Sequence, residues 1–192
     1  IYMTNIDRPF TKQELQFVTE QKKHCVKNEG NINTKDNYIL NRKEFKNIKK
    51  FIDKTCQDYL EKIISPKNNI ELYITQSWLN YTEENQYHHQ HSHSNSVVSG
   101  VFYFDCDKEN DQIKFTNPKG YQQIVPEIDQ YNIWNSDTWW FALETGQLVM
   151  FPSSTNHQVE TKKGNNTRIS LAFNTFYKGT IGFNSNLNEL IL

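Results

Sequence analysis

Hydrophobic residues follow a helical spacing in the first third of the chain. Thr11 and Glu14 have the spacing of a capping box and precede a loosely amphipathic stretch, which predicts a first helix as far as about Lys27. After a polar loop, a similar cap pattern at Asn41 opens a run of apolar residues at mostly three- and four-residue steps. This run predicts the clearest helix of the chain, which ends near Ser65 because a proline follows.

The period of the apolar residues changes from about position 70 onward. Residues 70–80 alternate between apolar and polar in the manner of a half-buried strand. Helices followed by many short strands predict a mostly β protein, either a β-sandwich or a jelly roll, with the helices packed on one face. The further strands, separated by Pro, Gly, Asn and Asp, are predicted at 97–104, 112–116, 121–125, 138–142, 147–151, 156–160 and 167–177.

Nothing in the sequence divides the chain, since it contains no internal repeat, low-complexity tract or linker. A chain of 192 residues is long enough to bury a substantial core. We therefore expect one domain over residues 1–192, with helical support at about 11–64 and a jelly-roll core at about 70–177.

Composition excludes several classes of partner. The formal net charge of −1 gives no electrostatic reason to expect nucleic acid or an anionic membrane surface. No apolar run approaches the roughly 18 residues that cross a bilayer, and no signal-peptide pattern opens the sequence. The three cysteines are far apart and lack Cys-x-x-Cys spacing, which indicates reduced thiols in a cytoplasmic protein. The high aromatic content favours a β-rich core, and an exposed aromatic edge would be compatible with a homodimer.

Histidines are concentrated at one point of the chain, where four of the six lie between positions 88 and 93. Side chains at i and i+2 of a strand share a face, so His89, His91 and His93 are able to line one side. We predict that His91 and His93 bind one metal ion together with His157, whereas any one of them alone would more simply be a solvated histidine. His89 has the same parity and is an alternative ligand, and imidazole suits iron, copper, nickel and zinc alike.

The last long predicted strand carries a polar face formed by Arg168, Ser170 and Asn174. If this face is buried, the guanidinium needs an anion, because an unpaired buried charge is strongly destabilising. The planar guanidinium can donate two parallel hydrogen bonds to the oxygens of a carboxylate. The carboxylate could belong to a bound ligand or to an Asp or Glu side chain in a structural ion pair.

Several short motifs occur in a fixed order over about residues 72–177, and their combination is far more specific than any one of them. The motifs are Trp78-Leu-Asn80, His91-Ser-His93, Ser99-Gly100-Val-Phe-Tyr103, Phe115-Thr-Asn-Pro118, Phe151-Pro152, His157, Arg168-Ile-Ser170 and Phe173-Asn174. Together they resemble those of the 2-oxoglutarate- and Fe(II)-dependent oxygenases, and most closely the small 2OG-Fe(II) oxygenase family of bacteria and phages.

The resemblance implies a double-stranded β-helix, a form of jelly roll, that holds one Fe(II) with His91, His93 and His157 as ligands. Most of the superfamily carries Asp or Glu at the position of His93, so this chain departs from the usual set of two histidines and one carboxylate. No acid lies two residues after any of the clustered histidines, and Asn95 fills the last of these positions.

The resemblance also implies a 2-oxoglutarate site. Arg168 would pair with the distal carboxylate, Ser170 would add a hydrogen bond, and Tyr81 would lie near the cosubstrate. Asn80 and Tyr103 are weaker candidates for the same site. The implied activity is that of a dioxygenase, a hydroxylase that uses O2 and releases succinate and CO2, acting on a small molecule or peptide that the sequence does not disclose.

Aromatic residues near these motifs could keep water from the reaction or could be ordinary core. The stretch 121–140 matches none of the short motifs and could be a lid or substrate loop. The aromatic residues concerned are Trp78, Trp134, Trp139, Trp140 and Phe141.

Two other interpretations stay open. The chain could be a three-histidine metal enzyme on a cupin-like jelly roll that does not use 2-oxoglutarate, in which case Arg168 binds a substrate carboxylate. It could also be a non-catalytic jelly roll that binds a sugar or a protein. Metal loss on substitution of His157 would exclude the last interpretation, and consumption of 2-oxoglutarate separates the other two.

Overall fold

The computed structural model describes residues 1–117 and 126–192. The first helix, α1 (Lys12–Gln21), begins at the predicted capping box, in which Thr11 and Glu14 exchange hydrogen bonds of 3.2 and 2.8 Å. The prediction that it continues to Lys27 is wrong. After a short 3₁₀ turn the chain becomes strand β2 (Cys25–Lys27), because these residues pair with β3 (Ile32–Thr34) at the edge of a sheet.

The second helix, α2 (Lys46–Tyr59), begins later than the cap pattern at Asn41 predicts. Asn41 ends a 3₁₀ turn instead, and the preceding backbone N–H of Leu40 is held by the hydroxyl of Ser77 at 3.0 Å. The predicted end is confirmed, since one π-helical turn leads to Ser65 in the left-handed conformation. Among the helices of the described residues, none is both long and apolar enough to cross a membrane.

The described strands form two antiparallel sheets, numbered here in chain order. The major sheet contains eight of them, and β12 (Leu190–Ile191) extends it by pairing with β11. The other seven follow the order β1 (Tyr2–Asn5), β9 (Gln147–Pro152), β6 (Val98–Asp105), β11 (Arg168–Ile181), β4 (Ile70–Thr82), β3 and β2.

The minor sheet contains four strands in the order β5, β10, β7, β8. Their bounds are β5 (His88–His91), β10 (Asn156–Val159), β7 (Gln112–Thr116) and β8 (Thr138–Ala142). The predicted strands at 112–116 and 138–142 are confirmed with the same bounds, and the others are confirmed to within four residues at each end. The exception is the strand predicted at 121–125, which lies outside the described residues together with Pro118. The sequence did not predict β1, β2, β3, β5 or β12.

Side chains along the strands of the major sheet point alternately to its two faces, which have different neighbours. On one face, apolar side chains such as Leu79, Phe102 and Leu171 form one core with the buried residues of α2, including Ile48 and Ile52. The opposite face turns toward the minor sheet. This layering confirms the predicted fold class, a mostly β jelly roll whose helices pack on one face.

Candidate metal and cosubstrate site

A narrow cavity lies between the two sheets, at the inner face of the major one. It is lined on the major-sheet side by three rows of cross-strand neighbours, and on the minor-sheet side by the histidines. Its volume is about 30 Å³, so the side chains that line it must separate to admit a ligand larger than an ion or a water molecule. The rows are Trp78, Ala172 and Val101; Asn80, Ser170 and Tyr103; and Thr82 with Arg168.

The three predicted ligands come together at one end of this cavity. His91 and His157 are register partners on β5 and β10, and His93 follows two residues after His91. One ring nitrogen of each histidine lies within 4.8 Å of the others. The three side chains, two of them half-buried and one buried, therefore form a pocket of nitrogen atoms that fits a metal ion.

Hydrogen bonds to the backbone determine which nitrogen of two of these rings is free. Nδ1 of His91 lies 2.8 Å from the carbonyl oxygen of His89, and Nδ1 of His157 lies 3.1 Å from that of Thr155. A carbonyl only accepts, so Nδ1 carries the proton in both rings and Nε2 keeps its lone pair. Such outer hydrogen bonds orient metal-binding imidazoles.

Burial keeps the imidazoles in the neutral form that binds metal. Loss of hydration, together with the smaller effect of the charge of His91, lowers the pKa of His157 to about 3 and the pKa of His93 to about 4. The pKa of His91 is lowered by burial as well, against the opposing effect of its hydrogen bond to His89. The cluster is therefore ready to bind a cation near neutral pH without first losing a proton.

No Asp or Glu is found among the described residues that line the cavity. The structure thus offers His93 where the usual set would have a carboxylate. A carboxylate does lie nearby, on Asp111, but it is buried behind Arg168 and paired with it.

Two of the motif residues hold the segment that carries His93. The Ser99 hydroxyl is 2.8 Å from both the Ser153 hydroxyl and the side-chain oxygen of Asn174, which ties β6 to β11 and to the residue that follows β9. The backbone N–H of His93 in turn donates to the carbonyl of Ser153 at 2.9 Å. Gly100 is needed for a steric reason, because a Cβ there would lie 2.3 Å from the ring of Phe173.

Arg168 lies at the other end of the cavity. Its contacts agree in part with each of the two roles considered from the sequence, a structural ion pair and the binding of a ligand carboxylate. Nη1 donates to Asp111 at 2.8 Å, which is a buried structural ion pair. Nη2 is buried and has no hydrogen-bond partner in the described part of the chain. The buried Nζ of Lys162 lies 3.5 Å from the second oxygen of Asp111, so two cations share one carboxylate. Among the described residues Asp111 is the only ion-pair partner of either cation, and it engages only one of the two terminal nitrogens of Arg168.

Further polar atoms without partners line the same end. Besides Nη2 of Arg168, the hydroxyl of Tyr103 and the side-chain oxygen of Asn80 are buried and find no partner among residues 1–117 and 126–192. The side chain of Ser170 lies in the row between them. Buried polar atoms are costly unless paired. The free nitrogen of the Arg168 guanidinium and the hydroxyl of Tyr103 are donors, and together they fit the carboxylate of a dicarboxylic acid.

Tyr81 is not part of the site. It alternates with Asn80 along β4 and therefore faces the helices, where its hydroxyl donates to the carbonyl of Val18 at 2.6 Å. The expectation that it contacts a cosubstrate is wrong. Tyr103, the weaker sequence candidate, supplies the tyrosine on the inner face.

His88 lines the cavity, although the sequence parity favoured His89. Between the pairs His157–His91 and Val159–His88, β10 advances two residues while β5 advances three. This bulge turns His88 to the same side as His91, and their rings stack at 4.7 Å. A second group of ring nitrogens within 4.8 Å, those of His88, His89 and His91, lies beside the first.

Of the aromatic residues considered in the sequence, only Trp78 reaches the cavity, with its ring 6.1 Å from that of His93. Trp134, Trp139 and Phe141 instead line a separate groove of about 390 Å³ next to Phe115. Trp140 is 54% exposed and stacks on Trp139. Of the proposed loop at 121–140, residues 121–125 lie outside the described part of the chain.

Several solved structures share this fold. An oxidoreductase of the 2OG-Fe(II) oxygenase family from Burkholderia pseudomallei aligns over 90% of this chain and 83% of its own, with TM-score 0.61 and 12% identity. A Pseudomonas putida prolyl-4-hydroxylase aligns over 90% and 91%, with TM-score 0.57 and 12% identity. HygX from Streptomyces hygroscopicus, crystallised with nickel, 2-oxoglutarate and hygromycin B, aligns over 90% and 81%, with TM-score 0.59 and 8% identity.

The sequence itself defines the family. Residues 76–174, more than half of the chain, match the family model described as "Putative 2OG-Fe(II) oxygenase". The chain therefore belongs to the 2OG-Fe(II) oxygenase family, whose name gives Fe(II) and 2-oxoglutarate as its cofactors. No curated protein sequence matches it.

Proposed function

We propose that this chain is a dioxygenase that uses Fe(II) and 2-oxoglutarate to hydroxylate a small molecule or peptide, as one domain over residues 1–192. The observation that supports this most is the arrangement of one cavity. Three neutral imidazoles meet at one end, and buried donors beside two cations that share one carboxylate meet at the other. The first end suits a metal ion, and the second suits an acid group of 2-oxoglutarate.

His91, His93 and His157 would hold Fe(II). Arg168 would donate from Nη2 to the distal carboxylate of 2-oxoglutarate, with Tyr103 and Ser170 adding hydrogen bonds and Asn80 closing the same row. When bound, Fe(II) and 2-oxoglutarate supply the oxidising chemistry, in which O2 is consumed, succinate and CO2 are released, and a C–H bond of the substrate is oxidised.

The ion pair of Arg168 with Asp111 has a positional role in this proposal. It fixes the guanidinium through Nη1 and leaves Nη2 directed to a ligand. Lys162 offsets the negative charge of Asp111, so that the site keeps the attraction for an anion that Asp111 alone would cancel.

Proteins with related folds act on different substrates. We therefore infer the reaction class from the residues of the site, and the region that binds the substrate from the surface next to the site. The related structures include a prolyl hydroxylase in complex with a peptide, HygX with hygromycin B, and a carbocyclase. In this chain, the groove beside Phe115 is a candidate for the substrate. Phe115 lies 6.1 Å from His157, ring centre to ring centre, and also lines that groove.

One observation favours a second candidate function. A metal site with three neutral ligands, and no carboxylate among the described lining residues, is also the donor set of a metal enzyme that does not use 2-oxoglutarate. In that case Arg168 would bind a carboxylate of the substrate itself.

Turnover of 2-oxoglutarate separates the two. We expect the aerobic protein with Fe(II) to convert 2-oxoglutarate to succinate slowly even without its substrate, and a chelator should stop the reaction. The measurement is succinate formed per protein over time, with Fe(II) in buffer as the background. No succinate above that background, from protein shown to contain iron, would favour the second candidate.

A further inference from the structure

His88 occupies a place in the cavity that the proposed function does not yet use. The bulge in β5 turns it inward, and its register partner Val159 lies on the next strand. Both His88 and Arg168 line the cavity, on opposite sheets. His88 therefore lies on the side of the metal ligands that faces the cationic end.

The orientation of the His88 ring is set by a buried amide. Nδ2 of Asn31 lies 3.3 Å from Nδ1 of His88 and 3.3 Å from the hydroxyl of Thr82, and the oxygen of Asn31 accepts from Asn28 at 3.0 Å. Because the oxygen is already used, the amide presents its N–H groups to His88. Nδ1 is then an acceptor, and the proton of the neutral ring is on Nε2.

This network ties His88 to the strand that carries Arg168. Thr82, which shares the Asn31 amide with His88, is the direct register partner of Arg168. Asn31 is 4% exposed, so the network is not a solvated surface contact. The ring nitrogen that remains for the cavity is Nε2, and it is a donor.

A carboxylate at this end of the cavity needs more donors than Arg168 offers. A carboxylate has about four acceptor positions. One nitrogen of Arg168 is already given to Asp111, which leaves Nη2 and the hydroxyl of Tyr103 as buried unpaired donors. A neutral N–H from the facing sheet would complete the set without adding a charge.

We propose that His88, oriented by Asn31, donates its Nε2–H to the carboxylate of 2-oxoglutarate that Arg168 binds. This rests on the proposed function, since it takes 2-oxoglutarate as the ligand of the cavity. His88 is thus a binding residue of the cosubstrate site and not a ligand of the metal. The rival role, in which His88, His89 and His91 hold a metal ion, is an outcome of the test.

The test measures binding of 2-oxoglutarate to Mn(II)-loaded protein by calorimetry under argon, so that no turnover is required. We expect His88→Phe to weaken binding about 10-fold, which is the value of one hydrogen bond to a charged group. His88→Gln keeps an N–H donor and should recover part of the loss. Asn31→Ala should weaken binding by about 3-fold, because the ring is no longer held in one tautomer and orientation.

The matched control is His89→Phe, a change of the neighbouring histidine that does not line the cavity. It should bind 2-oxoglutarate like the unsubstituted protein. Mn(II) content is measured for each variant, and thermal unfolding confirms that each is folded.

Three results would overturn the inference. Unchanged affinity in folded His88→Phe would show that His88 makes no contact with the cosubstrate. Loss of Mn(II) from the same variant would make His88 a metal ligand instead. Failure of the unsubstituted, metal-loaded protein to bind 2-oxoglutarate would overturn the proposed function, and this inference with it.

Discussion

Substitution of His157 by alanine is expected to abolish retention of Fe(II). His157 supplies one of the three imidazoles, and the two rings that pack against it, those of Phe115 and Phe151, offer no donor atom in its place. Loss of an outer partner of a ligand already costs about 10- to 100-fold in affinity, so loss of the ligand should cost more than about 100-fold. Iron content after desalting, together with a Fe(II) titration, measures the effect.

The control for this prediction is His89→Ala. His89 belongs to the second group of neighbouring histidines but not to the first. If the ion is held by His91, His93 and His157, His89→Ala should keep its iron. Iron lost from His89→Ala and kept by His157→Ala would place the metal in the second group and contradict the site described here.

Substitution of Arg168 is expected to have the second largest effect, on 2-oxoglutarate and not on iron. Its Nη2 is the buried cationic donor without a partner, and a hydrogen bond to a charged group is worth about 1.5–3 kcal/mol. Arg168→Ala should therefore weaken 2-oxoglutarate by about 10- to 150-fold. The dissociation constant from calorimetry on Mn(II)-loaded protein checks this, beside an unchanged Mn(II) content.

Arg168→Ala also leaves the Asp111 carboxylate buried with only Lys162 as a cation, which destabilises the fold. Arg168→Lys is the variant that controls for this. Its ammonium can keep the pairing with Asp111 but lacks the second nitrogen of the fork, so it should fold normally and still bind 2-oxoglutarate weakly. Full affinity in Arg168→Lys would show that charge alone, and not the free Nη2, recruits the cosubstrate.

The sequence predicts well what depends on local spacing. Alternation located the central strands, and the capping box at Thr11 located the start of α1. The position of Tyr81 could have been deduced too, because it alternates with Asn80. If Asn80 faces a ligand, its neighbour faces the helices. A tyrosine at a matching position in the family therefore does not show that Tyr81 reaches the cosubstrate, because its place in the alternation of β4 decides which face it takes.

Other features depend on contacts between distant residues and could not be predicted from spacing. The bulge that turns His88 inward exists only in the pairing of β5 with β10. The ion pair of Arg168 with Asp111 joins residues 57 positions apart, and many acids in the chain could have been that partner. The end of α1 was misplaced for the same reason, because Cys25–Lys27 gains a hairpin partner that helical periodicity cannot show.

His93 distinguishes this chain from the usual metal site of two histidines and one carboxylate. Its ring lies with those of His91 and His157, and burial holds its pKa low enough for it to be a neutral ligand. A site with three imidazoles lacks the negative charge of a carboxylate, so the anionic cosubstrate would provide more of the charge that balances Fe(II). We therefore expect bound 2-oxoglutarate to tighten the binding of the metal.

The most direct measurement is an anaerobic titration of the metal-free protein with Fe(II), with and without 2-oxoglutarate, followed by visible absorbance. We expect an iron-to-keto-acid charge-transfer band that appears only when both are present and is lost in His157→Ala. Iron binding without that band would contradict the use of 2-oxoglutarate and favour the three-histidine enzyme of another class. No iron binding at all would contradict the metal site.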